Sequence, residues 1–430
     1  MNQIIVILIL VLLPSYLLYK GKHNALAAWI CCGIYLDIFN SQQYLNFTLI
    51  KGVSIPLFFK LISDRKRMLS FLSSPHNKIW LVYFAYLSIL YVAWGVLWPW
   101  SYDPLIKTGR DIPQWRGIIH LSSIAMEFLV AVYIGHYLLS QRRIKHAIDF
   151  WPVAKWLLAA ATICCLGAVL ERTFAFDFYH FFTQGDKHLD LTRSRGFAYE
   201  PRGLAQTAMH GFIILFLFRD RISHVLQLIL TTFFFYTAFV LTFSTSGTIT
   251  LLFAVGSGLC FSLIEFIRSG RKNFSLNLKQ LSLGIILLVT AGMIFFKAGS
   301  LSDPKRFKTF LLSPNHSFSE RFEVFDAAAV DFFIANPKFL VTGVGPGLMS
   351  IPSFDYLSEE KGGFWIKHGQ LLALPLMGIV LILSNGGLIA LFMLGTLFLT
   401  ALRKIYPFAT LNQSTIRYFS IFLGLYMLQM

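Results

Sequence analysis

Residues 225–243 read VLQLILTTFFFYTAFVLTF, without one charged side chain. A helix needs about 20 predominantly apolar residues to cross the hydrocarbon of a bilayer. Arg219-Asp220-Arg221 stand just before this run, and before them lies a second apolar run at 204–218. Two apolar runs joined by a short charged turn read as two membrane spans with a tight connection.

Worked outward in both directions, the same unit recurs. Apolar runs fall at 2–19, 25–39, 44–62, 79–98, 118–139, 152–172, 204–218, 225–243, 247–267, 281–297, 370–384, 386–402 and 416–430. Lys51 interrupts the third, so it must snorkel or face the bundle. With 56% hydrophobic residues and only 13% charged, the composition excludes a disordered chain, a coiled coil and a disulfide scaffold. The expected fold is all-α: a polytopic integral membrane helix bundle of about twelve spans, forming a single domain over 1–430. No internal repeat or separate soluble domain is visible.

Charge gives the orientation. The chain holds 37 Lys and Arg against 21 Asp and Glu, a net +16. A basic soluble protein of this kind would point to nucleic acid, but the position of the charges argues otherwise. Loops 20–24, 60–78, 141–147, 219–223 and 267–279 carry sixteen Lys and Arg against Asp64 and Asp220 alone. Cytoplasmic loops hold the positive excess in membrane proteins. The alternate loops, 101–117, 171–203 and 297–370, balance their signs and include the long ones. Two sizeable loops, 171–203 and 297–370, are therefore expected to face outward, into the periplasm if the cell is Gram-negative. The run 370–384 is expected to be re-entrant or surface-lying, because a full crossing would leave Arg403 and Lys404 outside.

Two smaller features fit this reading. Residues 4–19 lack a preceding positive charge and a small-residue cleavage site, so they read as a first span rather than a removed signal peptide. Cys31, Cys32, Cys164, Cys165 and Cys260 all lie inside apolar runs, and their spacing resembles no zinc or disulfide framework. They are expected to be small buried side chains.

The long outer loop has internal punctuation. Ser317-Phe318-Ser319-Glu320 fits a capping box. A helix from there places Phe322, Phe325, Ala329, Phe332 and Phe333 on one face, with Glu320, Glu323 and Asp331 opposite. Asn336-Pro337 ends it. Thr342-Gly343-Val344-Gly345-Pro346-Gly347 then reads as a turn-rich loop, without the spacing of a dinucleotide-binding fingerprint.

The chemistry-bearing residues lie in these outer loops. Arg193-Ser194-Arg195-Gly196-Phe197-Ala198-Tyr199-Glu200-Pro201-Arg202-Gly203 brings three arginines and a glutamate to the start of a span. Arginine presents a bidentate fork that suits phosphate oxygens, and glycine lets a ligand approach the backbone closely. Interfacial anchoring is the plainer reading of such arginines, but it needs no Glu-Pro among them. Arg321 stands at the start of the loop helix, with Glu320 and Glu323 as neighbours. His368 stands where the long loop re-enters the bilayer, and an imidazole can take a proton from a sugar hydroxyl at neutral pH. The loops lack an Asp-x-Asp pair, the sequence shows no metal-ligand spacing, and there is neither a P-loop nor a Gly-x-Ser-x-Gly elbow. Without ATP outside the cell, a reaction there must use a donor that is already activated. A lipid-linked sugar pyrophosphate is one, and arginines alone can stabilise the charge on its leaving group.

These segments together resemble the O-antigen polymerase and ligase superfamily (Wzy-type and WaaL-type proteins). Arg195-Gly196-Phe197 through Glu200-Pro201, with Gly203-Leu204-Ala205 entering a span, is similar to the family's first outer-loop motif. Ser319-Glu320-Arg321-Phe322 through Ala327-Ala328, then Asn336-Pro337 and Gly343 to Gly347, is similar to its arginine-helix-glycine segment. His368, followed by an apolar run with Gly386-Gly387, resembles its last outer-loop histidine, although Gly369 stands where the family often has Asn. Thr242-Phe243-Ser244-Thr245-Ser246-Gly247 resembles its short Ser-Gly turn. The likeness spans roughly residues 150–405, and its specificity lies in the order of the motifs and their placement on one face.

The resemblance implies a metal-independent inverting glycosyltransferase of the bacterial inner membrane, without a cofactor, acting at its periplasmic face. Its substrates would be undecaprenyl-pyrophosphate-linked glycans within the membrane lipid; nucleic acid is not expected as a partner. Arg321 and one arginine of the first motif, Arg195 or Arg202, would grip the donor pyrophosphate. His368 would orient or deprotonate the acceptor hydroxyl; Glu200 is a second candidate for that base or a partner of the arginines. Glu-Pro in the first motif favours a polymerase, for which a chain-length regulator is a candidate partner. A ligase that transfers the glycan to lipid A-core is the alternative, and a lipid-oligosaccharide flippase is a third reading.

Overall fold

The computed structural model describes residues 3–36, 48–64, 75–97, 112–140, 150–183, 194–198, 201–242, 324–357 and 378–405, with the single positions 66 and 73. Among the described residues the chain is helical with connecting turns, and no strand occurs. The helices are α1 (Gln3–Tyr19), α2 (His23–Tyr35), α3 (Leu49–Ser63), α4 (Pro75–Leu90), α5 (Pro113–Ser140), α6 (Trp151–Phe174), α7 (Phe178–Thr183), α8 (Pro201–Leu217), α9 (His224–Tyr236), α10 (Val324–Ala335), α11 (Pro337–Thr342) and α12 (Gly378–Ile405). Two of them widen at their ends into π-helical turns: α4 at Tyr91–Val96 and α9 at Thr237–Leu241.

Among the described residues, five stretches are long and apolar enough to cross a membrane: Asn77–Val96, Pro113–Gly135, Trp151–Phe174, His224–Leu241 and Gly378–Leu397. Leu8–Tyr19 and Gly203–Leu217 are apolar but shorter. The expected spans at 247–267, 281–297 and 416–430 lie outside the described residues. Lys51, expected to interrupt a span, sits in the first turn of α3, where its backbone N–H donates to Thr48 Oγ1 at 3.3 Å. Thr48 thus caps the helix, and the lysine stands in its first turn.

The chain divides into two compact units, one of residues 1–60, 129–308 and 405–423, the other of residues 61–128, 309–404 and 424–430. In the first unit, α6 packs against α2 and α8. Its buried face is built of small residues, among them Ala160, Ala161, Cys164, Cys165, Gly167 and Ala168. Small side chains let helix backbones approach, which drives association where water supplies no hydrophobic force. Cys31, Cys164 and Cys165 are buried free thiols as expected, whereas Cys32 is only partly buried. Cys260 lies outside the described residues. A second core joins Leu10, Leu26, Ile30, Leu49, Val53 and Val130.

In the second unit, α10 follows the face read from its sequence. Ala329, Phe332 and Phe333 are buried in one cluster with Phe339, Val344, Leu348 and Val380, while Asp331 is exposed. The capping residues Ser317 and Glu320 lie outside the described residues. Asn336 stops the helix: its backbone N–H donates to Phe332 O at 2.8 Å and its side-chain amide to the same oxygen at 3.2 Å. Pro337 then opens α11, a short helix that leads to the glycine turn. The runs 386–402 and the described part of 370–384 form one element, α12, whose single non-helical residue is Gly387 (φ 64°, ψ −163°). This glycine kinks the element into two helical segments, close to where the sequence separates the two runs.

Candidate functional site

The first motif is built onto the end of α6. Ala175 (φ 48°) closes that helix in the left-handed conformation. Asp177 then starts α7, its Oδ1 accepting the His180 N–H at 3.0 Å as an N-cap does. The same carboxylate receives Arg195 as a fork, Nε to Oδ1 at 3.3 Å and Nη2 to Oδ2 at 2.6 Å. Both side chains are almost fully buried, at 4% and 3% exposure. The guanidinium lies over the Tyr179 ring, 4.6 Å from its centroid. Arginine stacks on an aromatic face while it donates in plane, so one cation satisfies both neighbours.

Glu171, in the last turn of α6, holds the backbone of the same segment. Its Oε2 accepts the Arg195 N–H at 3.0 Å and the Gly196 N–H as well. Gly196 has φ +57°, and a Cβ there would stand 2.6 Å from the Ala168 nitrogen. Phe197 covers Gly167, whose Cβ would meet its ring at 2.8 Å, and meets Phe178 edge-on at 5.6 Å. On the other side, Ser194 N–H donates to Leu241 O at 2.8 Å and Arg172 Nη1 to Val240 O at 3.5 Å. Those carbonyls end the π-helical turn after α9, where backbone acceptors have no partner within the helix. Residues 194–198 are therefore held on three sides.

The second motif is built mainly from glycine backbone. After α11 the backbone turns at Gly343, Gly345 and Gly347, with φ of 74°, 104° and 73°. Val344 N–H donates to Ser384 O at 2.9 Å, and Gly347 N–H to Asn385 Oδ1 at 3.2 Å. Tyr86 Oη–H bridges Thr342 O at 2.8 Å and Gly386 O at 3.2 Å. Arg116 Nε donates to Gly347 O at 3.2 Å. The two backbones meet glycine to glycine: a Cβ on Gly343 would stand 2.5 Å from the Gly386 nitrogen, and one on Gly387 would overlap the Val341 carbonyl. Trp94, in the π-helical turn after α4, packs edge-on against Phe339 at 5.0 Å.

Of the residues singled out in sequence, Arg195 is buried in the first motif and paired with Asp177. Arg202 lies in the first turn of α8, with its side chain outside the described set. Glu200, Arg321 and His368 lie outside the described residues, as do Phe243 to Gly247 of the Ser-Gly turn. Glu171, Asp177, Tyr179, Tyr86, Arg116 and Asn385 were not singled out. One signal for the first two was present: they are the only acidic residues between 151 and 183, and they flank the end of an apolar run. Among the described residues no group of three or more His, Cys, Asp and Glu side chains is placed to hold a metal ion.

A chain that is helical throughout its described residues, with five helices among them long and apolar enough to cross a membrane, is in class a helical membrane protein. Comparison with known proteins returns no matching family model, no matching curated protein and no matching solved structure.

Proposed function

We propose that the protein is a bacterial surface-polysaccharide polymerase of the inner membrane. It transfers a glycan from undecaprenyl pyrophosphate to a lipid-linked repeat unit at the periplasmic face. The acceptor hydroxyl attacks the anomeric carbon of the donor glycan. The new glycosidic bond forms with inversion as the bond to the lipid pyrophosphate breaks. His368 or Glu200 takes the hydroxyl proton, and arginines stabilise the negative charge that grows on the departing pyrophosphate. No metal enters this scheme.

The observation that carries the reading is the anchoring of the Arg195-Gly196 segment on the last turn of a membrane-length helix, α6, through Glu171 and Asp177. It sets an arginine-rich segment at the end of a span, the level where a polyprenyl pyrophosphate headgroup lies. Of the two arginines the resemblance leaves open, Arg195 is already neutralised by a buried carboxylate. Arg202 stands instead in the first turn of the 17-residue helix α8, where the macrodipole adds positive potential and disfavours a cation unless an anion is near. The reading therefore gives the donor to Arg202 and Arg321.

Two variants test it. Arg321→Ala and His368→Ala are expected to abolish long-chain glycan on a gel while leaving the amount of protein in the membrane unchanged. Normal ladders from both would overturn the site assignment. Deletion separates the polymerase from a ligase: single repeats remain on the lipid core in the first case, and no O-antigen remains there in the second.

A further inference from the structure

We infer that Arg195 is a positioning residue, held by Asp177 and Glu171 so that the chain enters α8 in one fixed direction with Glu200 and Arg202 near its start. The inference rests on the glycosyltransfer reading and departs from the expectation that either arginine of the motif grips the donor.

Every described contact of Arg195 serves placement. Its fork is spent on Asp177 at 2.6 and 3.3 Å, its face on Tyr179, and its backbone N–H on Glu171. Asp177 is itself fixed, because it also caps α7. Glu171 is fixed in the last turn of α6. Gly196 turns the chain with a left-handed φ of +57°, at a point where the α6 backbone excludes any side chain. Ala198 follows, 1% exposed, its N–H donating to Arg195 O at 3.0 Å. The motif reaches Pro201, the first residue of α8, only a short distance further along the chain. A shift of about 1 Å in catalytic groups costs on the order of a hundredfold in rate, so a hook of this kind governs turnover without touching substrate.

The test uses the full-length protein in lipid nanodiscs, with Asp177→Asn, Arg195→Ala, the double variant, and Arg202→Ala for contrast. Glu171→Gln, which keeps the shape of the side chain, is the second route should Asp177→Asn lower the yield. With an undecaprenyl-pyrophosphate-linked repeat as donor, Asp177→Asn and Arg195→Ala are each expected to lower kcat by roughly tenfold to a hundredfold. Donor KM should stay within about twofold, and the double variant should be no worse than the weaker single. Arg202→Ala should raise donor KM instead. A separate readout needs no activity: a cysteine placed at Ala198 is expected to resist a hydrophilic maleimide in the parent protein and to label in the Asp177→Asn background. A rise in donor KM from Arg195→Ala with Asp177→Asn near normal would overturn the inference, as would unchanged protection at position 198. A parent protein that transfers no glycan while protection is still lost on Asp177→Asn would sink the glycosyltransfer reading and leave the hook standing.

Discussion

The two motif segments are secured by opposite means. Residues 194–198 are fixed by charge: two carboxylates of α6 and the start of α7 hold one buried arginine and two backbone N–H groups. Residues 343–347 are fixed by the lack of side chains: glycines let the turn lie directly on the Gly386-Gly387 break of α12, and a tyrosine hydroxyl and an asparagine oxygen satisfy the backbone there. The difference matters because the two devices fail differently. A buried ion pair is strong evidence of placement and weak evidence of net stability, since desolvation offsets most of its Coulomb gain. A glycine-to-glycine crossing has no such offset, but it tolerates no added atom.

Substitutions sharpen the comparison. The largest expected effect is from Asp177→Ala, which leaves the Arg195 cation buried without its carboxylate and should cost about 3–5 kcal/mol. A fluorescence-detected thermal melt in detergent checks it, and the loss should shrink when Arg195→Leu is added. Gly387→Ala comes next. The left-handed backbone and the collision with the Val341 carbonyl together should cost about 2–4 kcal/mol, read as loss of monodisperse protein on size exclusion. No second substitution should rescue it, because the obstacle is backbone. Tyr86→Phe is the mildest: it removes one hydroxyl from two carbonyls and should cost about 1–2 kcal/mol, seen as a small fall in melting temperature. A Tyr86→Phe effect larger than that of Asp177→Ala would reverse the ranking of the two devices.

Much of this was legible in the sequence, and the parts that were not share a cause. Periodicity placed α10 and its buried Phe332 and Phe333, because a helix face is written at local spacing. Composition placed α5, α6 and α9 within a few residues, because apolar runs of that length have few soluble uses. The turn at 343–347 was visible from its glycines. What it turns against was not, since Gly386 and Gly387 are distant in sequence and nothing local pairs them. The same holds for Arg195. Its partners lie 18 and 24 residues earlier in the chain, and only the closing of α6 and α7 brings them to it. The sequence also divided α12 in two at Asn385. The helix does break there, at Gly387 (φ 64°, ψ −163°), so hydropathy placed that boundary to within two residues.

The proposal that this chain alone joins lipid-linked glycans without a metal can be measured directly. The direct measurement is a reconstitution: purified protein in nanodiscs, an undecaprenyl-pyrophosphate-linked repeat unit as both donor and acceptor, and excess EDTA. A ladder of lengthening lipid-linked glycan that is lost in Arg321→Ala is expected. No product with any acceptor, or product that disappears on adding the chelator to the parent protein, would contradict it.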